Sequence, residues 1–326
     1  MRSGDVIENE ETRLRGEVSF SEPWFPLHVK AIAVHDLTGA TYHDLMTSRQ
    51  SGFETFSVSN LKGGAGKTVS AVCLGEALAR AGAAVLLVDL DPQGTASTWL
   101  DERSNATTRL LTGDFDPGED VTAVFEPEGE GRLDMVTSNR SLEDAAERRP
   151  SDLSRRLEKL WSGAGDGYDI GIIDTPPQAG RLVTAALLST TNVLVPVVAG
   201  RGSVDGLQHV MQYTRRIGGA DVRAAFACKV DARTYLDQRV AAQLVNQLGP
   251  ISEGGRACEH YIRSTVSIRE AEADGSPLGE YASRSTAWTD YLAVTAELHA
   301  GGVLPTGPAE DHLGGDAASI DREAVA

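Results

Sequence analysis

The 326-residue chain is 41% apolar, ample for a large core, and its 47 acidic against 30 Lys and Arg residues give a net charge of −17, which argues against a generic nucleic-acid binder held by overall charge. No apolar run has the length of a transmembrane helix, and three scattered cysteines, Cys73, Cys228 and Cys258, fit reduced thiols rather than a disulfide framework or metal cluster. The charge is uneven: residues 101–150 hold 13 acidic and 6 basic residues and read as solvated acidic surface, whereas residues 201–290 hold 11 of each, leaving room there for one locally basic face.

Residues 1–52 read as an N-terminal extension, partly ordered if Val29 to Leu37 forms a strand; the first thirty residues hold no apolar signal-peptide segment, so a cytoplasmic protein is expected. "FETFSVSN" is a strand running into a glycine loop. "KTVSAVCLGEALARAG" is a helix whose Val69, Val72, Cys73, Leu74, Ala77 and Leu78 make one apolar face and whose Gly82 suits a C-terminal cap. "AAVLLVDLDP", "YDIGIIDTPP" and "NVLVPVVAG" are further strands, apolar throughout, as in a parallel sheet covered on both faces, and "DVRAAFACKV" is a fifth strand by position. "STAWTDYLAVTAELHA" is a closing helix with Trp288, Leu292 and Leu298 inward. Strands alternating with helices predict a doubly wound, mostly parallel α/β domain over residues 53–300. Residues 301–326 are Gly-, Pro- and acid-rich, a disordered tail without the basic amphipathic pattern of a membrane-binding helix.

The stretch "SNLKGGAGKTVSA", Ser59 to Ala71, carries the most specific chemistry. A glycine-rich turn between strand and helix aims backbone N–H groups at an anion, and the helix dipole adds to their field. Gly63, Gly64, Ala65 and Gly66 supply the turn, Lys67 reaches terminal phosphates, and the Thr68 hydroxyl suits Mg²⁺. The strict phosphate-loop pattern is nevertheless broken: Leu61 stands where a leading glycine belongs, and a second lysine, Lys62, precedes the usual one.

"KGGAGKT" followed by "LLVDLDPQG" and "IIDTPP" resembles the ParA/MinD family of deviant Walker-A P-loop ATPases, the ParA branch in particular, from about Phe56 to Ala300. The resemblance implies ATP and Mg²⁺ as cofactors. It makes Lys62 the signature lysine that reaches into the partner's phosphates across an ATP-dependent homodimer. It makes Asp91 the residue that orients the attacking water and Asp174 a Walker-B aspartate, with Asp89 supporting the Mg²⁺ region. Val69 replaces a second hydroxyl usual after the lysine, removing an expected α-phosphate contact. The segment "VDARTYL" resembles a ParA stretch whose arginine binds non-specific DNA, which falls on Arg233 here. In "YIRSTVSIREAEADGSPLGEY" a family basic position falls on Ser267, with Arg263 and Arg269 flanking it as substitutes. The implied function is a nucleoid-associated ATPase that positions or segregates a plasmid, chromosome or protein cargo with a ParB-like or cargo-adaptor partner. A MinD-like membrane switch and a hydrolysis-poor scaffold are the alternatives; the acidic tail argues against the first, and the presence of Lys62, Lys67, Asp91 and Asp174 against the second.

Overall fold

The computed structural model describes residues 53–304 except 101, 166, 201 and 202; the expected extension 1–52, with its Val29–Leu37 segment, and residues 305–326 lie outside the described residues. Seven strands form one sheet in the order β3-β4-β2-β5-β1-β6-β7. They are β1 (Glu54–Val58), β2 (Ala84–Asp89), β3 (Val121–Phe125), β4 (Arg132–Val136), β5 (Ile170–Asp174), β6 (Asn192–Val198) and β7 (Asp221–Cys228). Only β3, at one edge, is antiparallel to its neighbour.

Successive side chains on a strand point to opposite faces, and here both faces are apolar. Val85 and Leu87 of β2 enter one core with Phe56, Ala224 and Phe226. Leu86 and Val88 enter the opposite core with Val136 and Ile173. That two-sided burial explains the unbroken apolar runs. The first core is covered by α1 (Lys67–Arg80) and by a C-terminal group comprising α10 (Ser267–Asp274), α11 (Leu278–Tyr281) and α12 (Thr286–Ala300). The other face is covered, under β2 and β4, by α3 (Ala106–Thr112) and α6 (Pro150–Ala164). Under β6 and β7 it is covered by α8 (Ser203–Ile217) and α9 (Tyr235–Leu248), with α7 (Arg181–Ser189) between the two halves. Three one-turn segments complete the helices, α2 (Thr95–Trp99), α4 (Pro117–Asp120) and α5 (Leu142–Ala145).

Local signals account for the limits of α1. Gly66 enters it in a left-handed conformation, φ 82°. Beyond its end Gly82, at φ 95°, donates to Ala79 O and Ala83 donates to Leu78 O, the two bonds of a Schellman cap. Glu76 on α1 is fully buried. It pairs with Arg80 at 2.9 Å and accepts the Gly279 N–H at 2.8 Å, tying α11 to α1. Trp288 and Leu298 of α12 are buried as expected and Leu292 packs against the same core. Val303 and Leu304 are buried too, so packing continues past residue 300. The acidic segment 101–150 is not all surface: it supplies β3, β4 and the short helices around them. Its Leu110, Leu111 and Val136 sit in the core, while its carboxylates stay largely on the outside.

Candidate functional site

Three strand ends meet at one level. Val58 of β1 is in register with Asp174 of β5, and Asp89 of β2 is in register with the same Asp174. Ligands of open α/β sheets sit outside such carboxyl ends. From Val58 the chain enters the glycine loop, and its path is fixed by side chains. Asn60, 3% exposed, donates from Nδ2 to Pro196 O on β6 at 2.8 Å, and its Oδ1 accepts the Lys62 N–H at 3.0 Å. Gly64 and Gly66 have φ of 69° and 82°, a region other residues rarely adopt. The end of β7 closes over the loop: Cys228 Sγ donates to Ala65 O at 3.1 Å and Lys229 Nζ to Gly64 O at 2.9 Å. Lys229 itself has φ 55°, the one non-glycine residue with positive φ among the described residues.

The two lysines of the loop part company. Lys67 is 6% exposed and its ammonium donates to Lys62 O at 3.4 Å, whereas the Lys62 side chain is exposed. Burial lowers the Lys67 pKa, and the Asp174 and Asp91 carboxylates pull it back up. The three acids differ as sharply. Asp89 is fully buried and occupied: Oδ1 accepts the Asp91 N–H, and Oδ2 accepts the N–H and hydroxyl of Ser97 at 3.0 and 2.7 Å. Burial still raises its pKa to about 6. Asp91, 9% exposed, accepts the Gln93 N–H at 2.9 Å. Asp174 is fully buried, and neither carboxylate oxygen has a hydrogen-bond partner among the described residues. Burial, and then repulsion from Asp89, hold its pKa well above the carboxylate range, while Thr68 and Lys67 nearby draw it down.

A buried carboxylate left bare beside a lysine and a threonine hydroxyl fits a hard cation. No group of three or more His, Cys, Asp or Glu side chains able to hold a metal occurs among the described residues. Mg²⁺ needs no such cage, being held ordinarily by one or two protein groups, water and substrate phosphates. The residues present therefore fit Mg²⁺ delivered with a nucleotide. A family model described as an AAA domain matches residues 53–224, more than half of the chain. The sporulation initiation inhibitor protein Soj of Bacillus subtilis is 28% identical over 253 residues, covering 76% of this chain and 98% of its own. The chain belongs to the ParA/MinD family of P-loop ATPases. Solved structures with the same fold include an ATP complex of McdA from Cyanothece (TM-score 0.63, 19% identity, 78% of this chain and 98% of that one). Another is the septum site-determining protein MinD of Pyrococcus horikoshii with Mg-ADP (TM-score 0.59, 19% identity, 74% and 94%).

Against the ParA/MinD pattern, the loop's departures have local explanations. Val69, in place of a hydroxyl, packs against the core from the first turn of α1, and Leu61 packs against the apolar cluster beneath β6 and β7. The arginines expected to meet DNA lie in two neighbouring segments, since Val230 N–H donates to Ile262 O and Ser264 N–H to Val230 O. Arg233 is highly exposed but grips Asp231, with Nε and Nη2 both at 2.9 Å from its carboxylate, and this pairing lowers the Asp231 pKa to about 2. Arg263 is held by Asp290, with Nη2 at 2.6 Å from Oδ1 and Nε at 2.8 Å from Oδ2. Arg269 is exposed on the first turn of α10. Sequence reasoning did not single out Asn60, Ser97, Cys228 or Lys229. For two of them the signal was position: Cys228 ends β7 and Lys229 follows it, at the carboxyl edge where sites form.

Proposed function

We propose that this protein is a partitioning or positioning ATPase of the ParA type. It binds Mg-ATP, dimerises face to face over the nucleotide, binds DNA without sequence preference, and releases it when an adaptor of the ParB kind or a cargo adaptor stimulates hydrolysis. Such a protein works in the cytoplasm on the nucleoid; among the described residues no helix is long and apolar enough to cross a membrane. One observation carries the reading: a single loop holds one buried lysine facing its own acids and one exposed lysine facing outward. A phosphate loop working alone uses the first. The second, with no role inside its own subunit, suits a charge delivered to a partner's phosphates, the electrostatic service an arginine finger performs elsewhere.

Each group then has a distinct task. The loop Gly63 to Val69 cradles phosphates, with Lys67 on the terminal ones. Thr68 and Asp174 would hold Mg²⁺, which would supply positive charge to offset that of the phosphates. Asp91 orients the attacking water. Asp89 fixes the chain between Leu90 and Ser97 through its three hydrogen bonds, and so supports the cation site by shaping the loop that carries Asp91. Arg233 and Arg269 offer exposed charge to DNA phosphates, and Arg263 braces the segment beside them through Asp290.

The test separates the two lysines. Lys67→Ala should abolish binding of a fluorescent ATP analogue. Lys62→Ala should bind it nearly as tightly as the parent while losing ATP-driven dimerisation and stimulated hydrolysis. Equal nucleotide affinity in the two variants, or full stimulated activity in Lys62→Ala, would refute the division of labour.

A further inference from the structure

One well-formed cleft among the described residues lies away from the phosphate loop. It measures about 580 Å³ and opens at the other end of the sheet, beneath the antiparallel edge. Arg132, which begins β4, and Tyr168, two residues before β5, mark that end. Its floor is apolar: Leu86 from the sheet, Leu110 from α3 and Leu160 from α6 are each at most 8% exposed. Small-molecule sites of this size combine such a floor with a few placed polar groups.

The polar groups fall into two sets. Asp134 is neutralised from inside: its Oδ2 accepts the Tyr168 hydroxyl at 2.7 Å and Arg132 Nε at 3.0 Å, and the Arg132 guanidinium lies over the Tyr168 ring at 4.7 Å. Those three groups satisfy one another. Arg156 and Lys159 do not. They sit three positions apart on α6, hence on one side of the helix, both line the cleft, and neither forms an ion pair with a described residue. The seat of Arg156 is built for it. Gly113, which ends α3 at φ 104°, leaves open the space in which a Cβ would stand 2.8 Å from both guanidinium nitrogens Nη1 and Nη2. Facing these two cations the lining offers one uncommitted acid, Glu126. In a protein of net charge −17 a cationic pair over an apolar cleft is a local reversal of sign.

We propose that this cleft is a second ligand site, separate from the nucleotide site, for a small amphipathic anion. An apolar body would rest on Leu86, Leu110 and Leu160, and a carboxylate, sulfonate or phosphate head would lie between Arg156 and Lys159. The inference does not depend on the ATPase reading, since none of these residues belongs to the phosphate loop or its acids.

The probe is 8-anilinonaphthalene-1-sulfonate, followed by fluorescence on the full chain with saturating Mg-ADP present to occupy the nucleotide site. N-phenyl-1-naphthylamine serves as an uncharged counterpart. One saturable sulfonate site per chain is expected. Arg156→Gln with Lys159→Gln should weaken the sulfonate about tenfold, as befits the loss of two charge-assisted contacts, and leave the neutral dye within about twofold. Leu110→Trp should displace both dyes by filling the floor. Ala123→Phe, at an exposed position of the edge strand that also lines the cleft, should do the same without touching the core. Sulfonate binding that survives both the double variant and Ala123→Phe unchanged would overturn the proposal, as would a full chain that binds neither dye.

Discussion

Asp174→Asn should make the nucleotide-free protein more stable and the nucleotide-bound protein less so. The side chain is fully buried, its two oxygens have no hydrogen-bond partner among the described residues, and its neighbour in register is another carboxylate, Asp89. Leaving a buried acceptor unsatisfied costs about 1–3 kcal/mol, and more when it is charged. Asparagine keeps the shape and has no carboxyl that must take up a proton on burial beside Asp89, so a gain of about 1–3 kcal/mol is expected without ligand at neutral pH. For a domain of this size that is roughly 2–12 °C in Tm. Nucleotide acts in the opposite sense. At one hundred times Kd a ligand adds about 2.7 kcal/mol, and the part of that increment needing Mg²⁺ should largely vanish in the variant. Asp89→Asn is the control, because its carboxylate accepts three hydrogen bonds and an amide cannot accept them all. It should lose about 1–3 kcal/mol in the absence of ligand. The assay is a thermal melt in EDTA, repeated with ADP and with Mg-ADP. If Asp174→Asn melted no higher than the parent in EDTA and kept the full Mg²⁺-dependent increment, the assignment of that carboxylate as a site held open for a cation would be wrong.

Gly66→Ala places a methyl group 3.1 Å from Cys228 Sγ at φ 82°; left-handed strain of about 1–2 kcal/mol should lower Tm by roughly 2–8 °C and reduce the Mg-ADP increment in the same melt. The His260 pKa is raised chiefly by its 2.8 Å contact with Glu297. The protonated pair therefore stabilises the fold fully below pH 6.5, and that contribution is lost as pH rises through the higher folded value. Solvent screening keeps it under about 1 kcal/mol, and urea melts of His260→Gln should differ from the parent's below pH 6.5 and converge with them at high pH. DNA binding should require ATP, ignore sequence and fall by about 0.9 log units per log unit of salt for each phosphate neutralised. Arg233→Ala should weaken it without altering dimerisation, and an Arg233, Arg263 and Arg269 triple alanine variant that still shifts DNA normally would remove DNA as the matrix.

How far the sequence could be read depended on how local the physics was. β1, whose Thr55 and Ser57 are buried inside the sheet, was legible from the glycine loop that follows it, and β7 is interrupted by the exposed Arg223. β2, β5 and β6, buried on both faces, announced themselves as nearly unbroken apolar runs. β3 and β4 did not. Thr122 and Ala123 sit on a half-exposed edge strand, and Arg132 and Asp134 pair with each other and hydrogen-bond to Gly167 O and the Tyr168 hydroxyl, both more than thirty positions along the chain. An acidic composition there describes the surface and hides the strands. The site divides in the same way. Lys67, Thr68 and Asp174 follow from a loop and a strand end. The bonds from Asn60 to β6 and from Lys229 to Gly64 join residues more than 130 positions apart, which no local pattern encodes.

The missing leading glycine illustrates what the local pattern does and does not require. Within the loop, positive φ occurs at Gly64 and Gly66, whereas Leu61 and Gly63 lie outside that region. The permissive backbone is thus needed within the turn, at Gly64 and Gly66, and not where the chain enters it. Leu61 instead spends its side chain on the cluster beneath β6 and β7, Asn60 anchors to Pro196, and the Lys62 N–H is held on Asn60 Oδ1. With the backbone fixed on both sides of it, Lys62 exposes its side chain while Lys67, five residues on, is buried near Asp174 and Asp91. A glycine at position 61 would forfeit the apolar anchor and gain a backbone freedom that the loop does not use there.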